Sequence, residues 1–343
     1  MTEYKQARVP RAPRFRNVLT MEVAVGTVPL VQASADPLRG DPRLKDTRMA
    51  LDEEGNSPGV PWPPAFYELA GQNLDEAEFT AERSWYIRGQ NFCIAYTWAS
   101  GGGVLAREDL PDEHVIVIPE ATPVRVTTQG GREVPVAGPA VVIVPPGTSS
   151  VTADSAGALL RVFSARADCI LARARNGARY SGADPAITPL PEPPPPGPGT
   201  LRVYHAADIP GEPARFGRIF RTDSLMINWL PPVQGPRDTA TLSPHVHEGF
   251  EQGSVALQGD YIHHLRTPWT PRLGDWRDDE HVHCTSPSIT IIPPGIIHTT
   301  RAVGAGSHHL VDVFAPPRAD FSSMGWVIND GDYPGPGRSG GQR

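Results

Sequence analysis

Cysteine is scarce: three in 343 residues, Cys93, Cys169 and Cys284, far apart and without the paired spacing of a zinc ribbon or a disulfide scaffold. That excludes a disulfide-built fold and fits a reducing compartment. Long apolar runs are missing too. The opening MTEYKQARVPRAPRFRNVLT has no apolar core followed by small residues, and no later stretch approaches the length that spans a bilayer. The expectation is a soluble, cytoplasmic protein with no membrane partner. Nor is there a basic run or stripe. A net charge of −7 carries no footprint of a nucleic-acid or membrane-surface binder, which leaves a small-molecule substrate as the expected partner. The one basic cluster, Arg8, Arg11, Arg14 and Arg16, reads as a solvated tail.

What the chain does have is proline and glycine, 39 and 34 residues, which means many turns and few long helices. Between the turns lie short runs rich in Val and Ile: HVIVIPE, PVRVTT, AVVIVPPG and LLRVFSA, then SLMINWL, SITIIPPG and HLVDVFAPP. These read as strands and give an all-β fold class. The proline-rich run PLPEPPPPGPG, 189–199, supplies no ladder hydrogen bonds and divides the chain. Across it, residues 140–168 line up with 288–320, matching at the Pro-Pro-Gly corners and at the closing Arg-Ala-Asp, and 88–100 line up with 221–233. The two halves are therefore two copies of one β-domain, since a repeat this long exceeds solenoid periods. The expected limits are an irregular N-terminal arm packing on the barrels (1–84), a first barrel (85–185), a linker (186–200), a second barrel (201–330) and a tail (331–343). Within the arm, NLDEAEFTAERS reads as a short helix capped by Asn73.

The chemistry concentrates in SPHVHEGFEQGSVALQGDY, residues 243–261. His245 and His247, two apart on a strand, project from one face. Glu251 returns to that face after a short loop, and His298 follows the turn Pro293-Pro294-Gly295, which re-aims it inward. Imidazole and carboxylate donors suit a first-row transition metal, and four of them leave two octahedral positions open.

His-x-His-x3-Glu followed by Pro-x-Gly-x2-His, set between strands, resembles the two sequence motifs of the cupin superfamily. The resemblance covers roughly 85–180 and 201–322. It implies two double-stranded β-helix (jelly-roll-like) barrels, a bicupin, that pairs as a homodimer and holds one divalent metal ion, with iron first and Mn, Ni, Zn or Cu as the other choices. His245, His247, Glu251 and His298 are its expected ligands. Two departures stand out: the glycine expected after the Glu falls one position late, at Gly259, and Ala302 replaces the Asn that often ends the second motif. In the first repeat, alignment of Glu113 with Glu251 puts Arg107 and Asp109 where the histidine pair belongs, and Ser150 where His298 sits. That barrel is expected to have lost its metal, with His114 as a surface or hydrogen-bonded histidine.

Tyr261 and His263 are the expected proton-transfer residues, His264 lying on the opposite face. Trp229 and Tyr261 are expected near the pocket. His281 and His283 lack a following acid and a companion Pro-Gly-His, so they read as an ordinary strand with one histidine exposed, and His308 and His309 as structural. The insertion 266–281 reads as a lid or a subunit contact whose Asp278, Asp279 or Glu280 can act as acid or base. Three functions follow. The first is an Fe(II) dioxygenase on an aromatic, enolic or carboxylate substrate. The second is a non-redox isomerase, lyase, decarboxylase or hydrolase, and the third a non-enzymatic small-molecule-binding bicupin.

Overall fold

A computed structural model describes residues 59–69, 82–193, 199–209 and 217–333. The basic cluster and residues 73–81 of the expected helix lie outside the described residues; Glu82–Arg88 is a strand.

Among the described residues, ten strands precede the proline-rich connector: β1 (Ala65–Glu68), β2 (Glu82–Arg88), β3 (Phe92–Ala99), β4 (Val104–Leu110), β5 (His114–Ile118), β6 (Val124–Thr128), β7 (Glu133–Val136), β8 (Ala140–Val144), β9 (Gly147–Ala153) and β10 (Gly157–Ser164). Ten follow it: β11 (Arg202–His205), β12 (Arg218–Arg221), β13 (Met226–Trp229), β14 (Val233–Gln234), β15 (Gln252–Gln258), β16 (Asp260–Arg266), β17 (Glu280–Thr285), β18 (Ser288–Ile292), β19 (Ile297–Val303) and β20 (Ser307–Phe314). They form two copies of one arrangement. The larger sheets run β11-β8-β5-β10-β3-β2 and β1-β18-β15-β20-β13-β12, and each faces a smaller sheet, β4-β9-β6-β7 or β17-β16-β19. This is an all-β, two-barrel architecture, as the sequence pattern and the cupin resemblance both imply.

The first strand of each copy is exchanged. β1 pairs with β18 of the second barrel, and β11 pairs with β8 of the first. The boundary drawn at residue 201 is thus corrected: Arg202–His205 precedes the second barrel in the chain but belongs to the sheet of the first. Within the expected arm, Ala65–Glu68 adds an edge strand to the larger sheet of the second barrel.

Strand alternation sends one set of residues between the barrels and the other into each barrel. Val115, Val117, Val141, Ile143, Leu160 and Val162 meet Ile227, Val255, Ile289, Ile291, Val311 and Val313 in one shared core. Burying aliphatic side chains of this size contributes about 1.5–3 kcal/mol each. The inward sets differ. Barrel 1 is filled by Leu105, Ile116, Ile118, Val124, Val126, Val142, Val144 and Val151. Where barrel 1 has the cross-strand row Ala95, Arg161, Ile116, Val142, barrel 2 has Asn228, Asp312, Ser254, Thr290. The same fold therefore encloses a mainly apolar interior around one buried arginine, Arg161, in barrel 1 and a more polar interior in barrel 2. Among the described residues, no helix is long and apolar enough to cross a membrane.

Candidate metal centre

His245 and His298 lie opposite each other in an antiparallel bridge, each backbone N–H donating to the other's carbonyl at 3.0 and 2.8 Å. The turn that delivers His298 needs Gly295 at φ +80°, and its N–H donates to His247 O at 2.8 Å, tying the second histidine to the same corner. The three rings converge, with centroids 4.4–5.0 Å apart, and one nitrogen of each lies within 4.8 Å of the others. His245 and His298 donate Nδ1–H to the carbonyls of Ser243 and Ile296, both at 2.9 Å, which directs each Nε2 lone pair at the centre. His247 differs: its Nδ1 accepts from Arg318 Nη1 (3.3 Å), so its ring proton sits on Nε2 and donates to Gln252 Oε1 (2.8 Å), and that proton must leave before Nε2 can bind a cation. Burial, then the neighbouring imidazoles and Arg318, pushes His247 well below the usual histidine range, and burial drives His298 down to about 3. Neither competes with a metal by holding a second proton at neutral pH.

The expected fourth ligand is corrected. Glu251 is buried, but its carboxylate accepts from the backbone N–H of Gln90 at 2.5 Å and from the Tyr180 hydroxyl at 2.9 Å, both from the first half of the chain. It is not part of the histidine cluster. Burial raises its pKa against those two hydrogen bonds. Gly89 makes the approach possible, since a Cβ there would come 2.8 Å from Glu251 Oε2. The next residue, Gln252, opens β15 and alternation sends it inward, where Oε1 lies 2.8 Å from His247 Nε2 and 3.4 Å from His298 Nε2. A signal for this was present: Gly259, one position late when counted from Glu251, is in place when counted from Gln252. It turns the chain from β15 to β16 at φ +91°, where a Cβ would meet Ser307 O at 2.7 Å.

A cavity of about 400 Å³ opens from this cluster. Its walls include His245, Gln252, His298, Tyr261, Thr300, Leu230, Val233, Leu310, Asp312 and Arg237. Burial raises the Tyr261 pKa, helped by Asp312, so its hydroxyl keeps its proton. His263 is buried inside the barrel, with Nδ1 3.0 Å from Thr300 Oγ1 and its pKa lowered by burial to about 4, but it stands behind the cavity wall. His264 faces outward as expected, paired with His281 at 2.8 Å. His281 and His283 are both exposed, not one of them, because residues two apart on a strand share a face. Trp229 is also corrected. It lies in the core between the barrels, donating Nε1–H to His309 Nε2 at 2.5 Å. The acids of the 266–281 insertion stay off the cavity wall, and Asp279 pairs with Arg266 at the surface.

In barrel 1, Ala106, not Arg107, lies opposite Ser150 as His245 lies opposite His298. The extra residue between there and Glu113 is taken up at Asp109, which turns at φ +44° where the register of β4 shifts. His114 takes the place of Gln252. It is buried, not at the surface, stacked on Phe163 at 5.1 Å, with its pKa pushed by burial to about 3. No further group of three metal-type ligands occurs among the described residues.

The three imidazoles that converge in barrel 2 form a donor set that suits a divalent transition metal. No protein-family model and no curated protein matches the chain. Among solved structures it is similar to the formate complex of oxalate decarboxylase from Lactobacillus farciminis, with TM-score 0.49 and 13% identity over 77% of this chain and 88% of that one. A mutant of Bacillus subtilis oxalate decarboxylase gives 0.46 and 12% over 83% and 84%. A cupin 2 conserved barrel domain protein from Leptotrichia buccalis gives 0.41 and 8% over 71% and 92%.

Proposed function

From a bicupin fold with one mainly apolar and one more polar barrel, we infer that barrel 2 is the active site of a metal-dependent enzyme acting on a small anionic organic molecule, as an Fe(II) dioxygenase. The observation that carries this is the convergence of His245, His247 and His298, with Gln252 Oε1 beside them, at a cavity of about 400 Å³. A divalent iron held there would supply Lewis acidity and a redox partner for O2, with positions left for substrate. Because Gln252 is neutral, the four donors cancel none of the ion's charge, which favours a carboxylate or enolate as the incoming group. Arg237, on the cavity wall, adds to that preference. Tyr261 offers a hydroxyl donor to a developing oxyanion, and Leu230 and Leu310 give the cavity an apolar side.

Asp312 favours a second reading, a non-redox isomerase, lyase or decarboxylase. It is a cavity-lining acid whose pKa burial raises to about 6, beside Tyr261, so that a proton can be taken or given near neutral pH. Protein loaded with Fe(II) without oxygen, then offered small aromatic and enolic carboxylates, separates the two. Oxygen uptake that requires substrate supports the first; turnover that survives strict removal of oxygen supports the second. His245→Ala is expected to abolish stoichiometric metal and turnover together. Metal bound without turnover of any kind would leave a binding protein.

A further inference from the structure

We propose that Asp312 is a positioning residue that makes Gln252 a metal ligand, an inference that rests on the reading of barrel 2 as a metal site. A primary amide has two ends of nearly equal size, and only its oxygen binds a cation; the NH2 end repels one. Something has to choose between them. Ser254 pairs with Asp312 across β15 and β20, so Asp312 stands diagonal to Gln252 on the same inward face. Its Oδ1 accepts from Gln252 Nε2 at 3.0 Å and from Ser254 Oγ at 2.8 Å. An ionised carboxylate only accepts, so it takes the NH2 end of the amide and leaves Oε1 toward His247 and His298. Both residues are largely buried on the cavity wall.

Barrel 1 lacks both members of the pair, and it lacks the histidines as well, with Ala106 and Ser150 standing where His245 and His298 do. The position of Asp312 is filled by Arg161, the position of Gln252 by His114, and no metal-type cluster forms there among the described residues. Barrel 2 thus keeps one negative charge beside its metal position but sets it behind the ligand, where it orients the amide instead of binding. The ion meets a neutral donor set while a fixed carboxylate lies one hydrogen bond away.

The test is the dissociation constant of Zn(II) and of Mn(II) alone, by chelator competition, for the full chain. Asp312→Leu is expected to weaken binding about 10–100-fold, as loss of an orienting partner does. Gln252→Ala should do the same, and the double variant should be no worse than either single one. Asp312→Asn, whose side-chain oxygen still accepts, should recover most of the affinity. Circular dichroism checks folding, and Asp312→Ser replaces the Leu variant should that one fail to fold. An unchanged constant in a folded Asp312 variant overturns the proposal, as does an equal weakening when Gln252 is already Ala. Wild-type protein that takes up no metal overturns the metal-site reading itself, and this role with it.

Discussion

Glu251 and Gln252 are adjacent, both polar and both buried, yet they face opposite sides of a strand and do different work. Glu251 is an anchor between the two halves of the chain, and Gln252 reaches the histidines. Replacing Glu251 by Ala leaves the Gln90 N–H and the Tyr180 hydroxyl without their acceptor, at a cost of about 1–3 kcal/mol for each group left unsatisfied. The expected outcome is a lower Tm with the metal stoichiometry of one retained, whereas Gln252→Ala keeps the Tm near wild type and weakens the metal. Elemental analysis and calorimetry on the two variants check this. The histidines were legible because the i, i+2 spacing and the Pro-Gly turn each leave one geometry. The choice between two neighbouring polar residues was not, because it depends on the residue at which β15 begins.

At the scale of elements, the two copies lock each other by the same device. Tyr180, in the turn Gly177–Tyr180 that follows barrel 1, donates to Glu251 of barrel 2; Tyr333, after barrel 2, donates to Glu113 of barrel 1 at 3.0 Å. Asn176 and Asn329 repeat the pattern, each bonding both backbone groups of one arginine, Arg88 or Arg221, at 2.8–2.9 Å. Tyr180→Phe and Tyr333→Phe are each expected to lower unfolding free energy by about 1–3 kcal/mol, since a buried acid loses a donor. The two effects should add within about 0.5 kcal/mol, as the sites share no partner. Urea melts of the two single variants and the double variant measure both. The repeat itself was visible in the Pro-Pro-Gly corners and the Arg-Ala-Asp segments. The exchange of β1 and β11 was not: AFYE and RVYH are edge strands, and a short edge strand carries nothing that says which sheet it joins.

For the whole molecule, burying imidazoles sets the pH response. His114 and His298 are pushed down to about 3, His263 and His309 to about 4, and His247 well below its usual range, in each case chiefly by desolvation. A histidine depressed in the fold contributes fully above its unfolded pKa of about 6.5, and that stability is lost as pH falls toward the folded value, because the unfolded chain binds the proton first. Asp312, raised to about 6, and Glu113 and Glu251, also raised, act oppositely: their burial costs stability at neutral pH and the cost is relieved as they protonate. Among buried side chains, five lowered histidines outweigh three raised acids, at up to about 1.4 kcal/mol per group and pH unit. Unfolding free energy, and Tm with it, should therefore fall below about pH 6.5, the free energy with a net slope on the order of 1–3 kcal/mol per unit; a profile flat from pH 7 to 5 would contradict it. Bound metal should deepen the loss, since its ligands must shed protons to hold it. By itself the sequence determined the all-β class, the duplication and the three histidines, because strand alternation, proline corners and i, i+2 spacing are local properties of the chain. Only the tertiary structure decided that Gln252 and not Glu251 faces the histidines, that the barrels trade their first strands and that Asp312 stands behind the amide. Each of these depends on which strand lies beside which, and in what register, and that is set by packing between residues far apart in the chain.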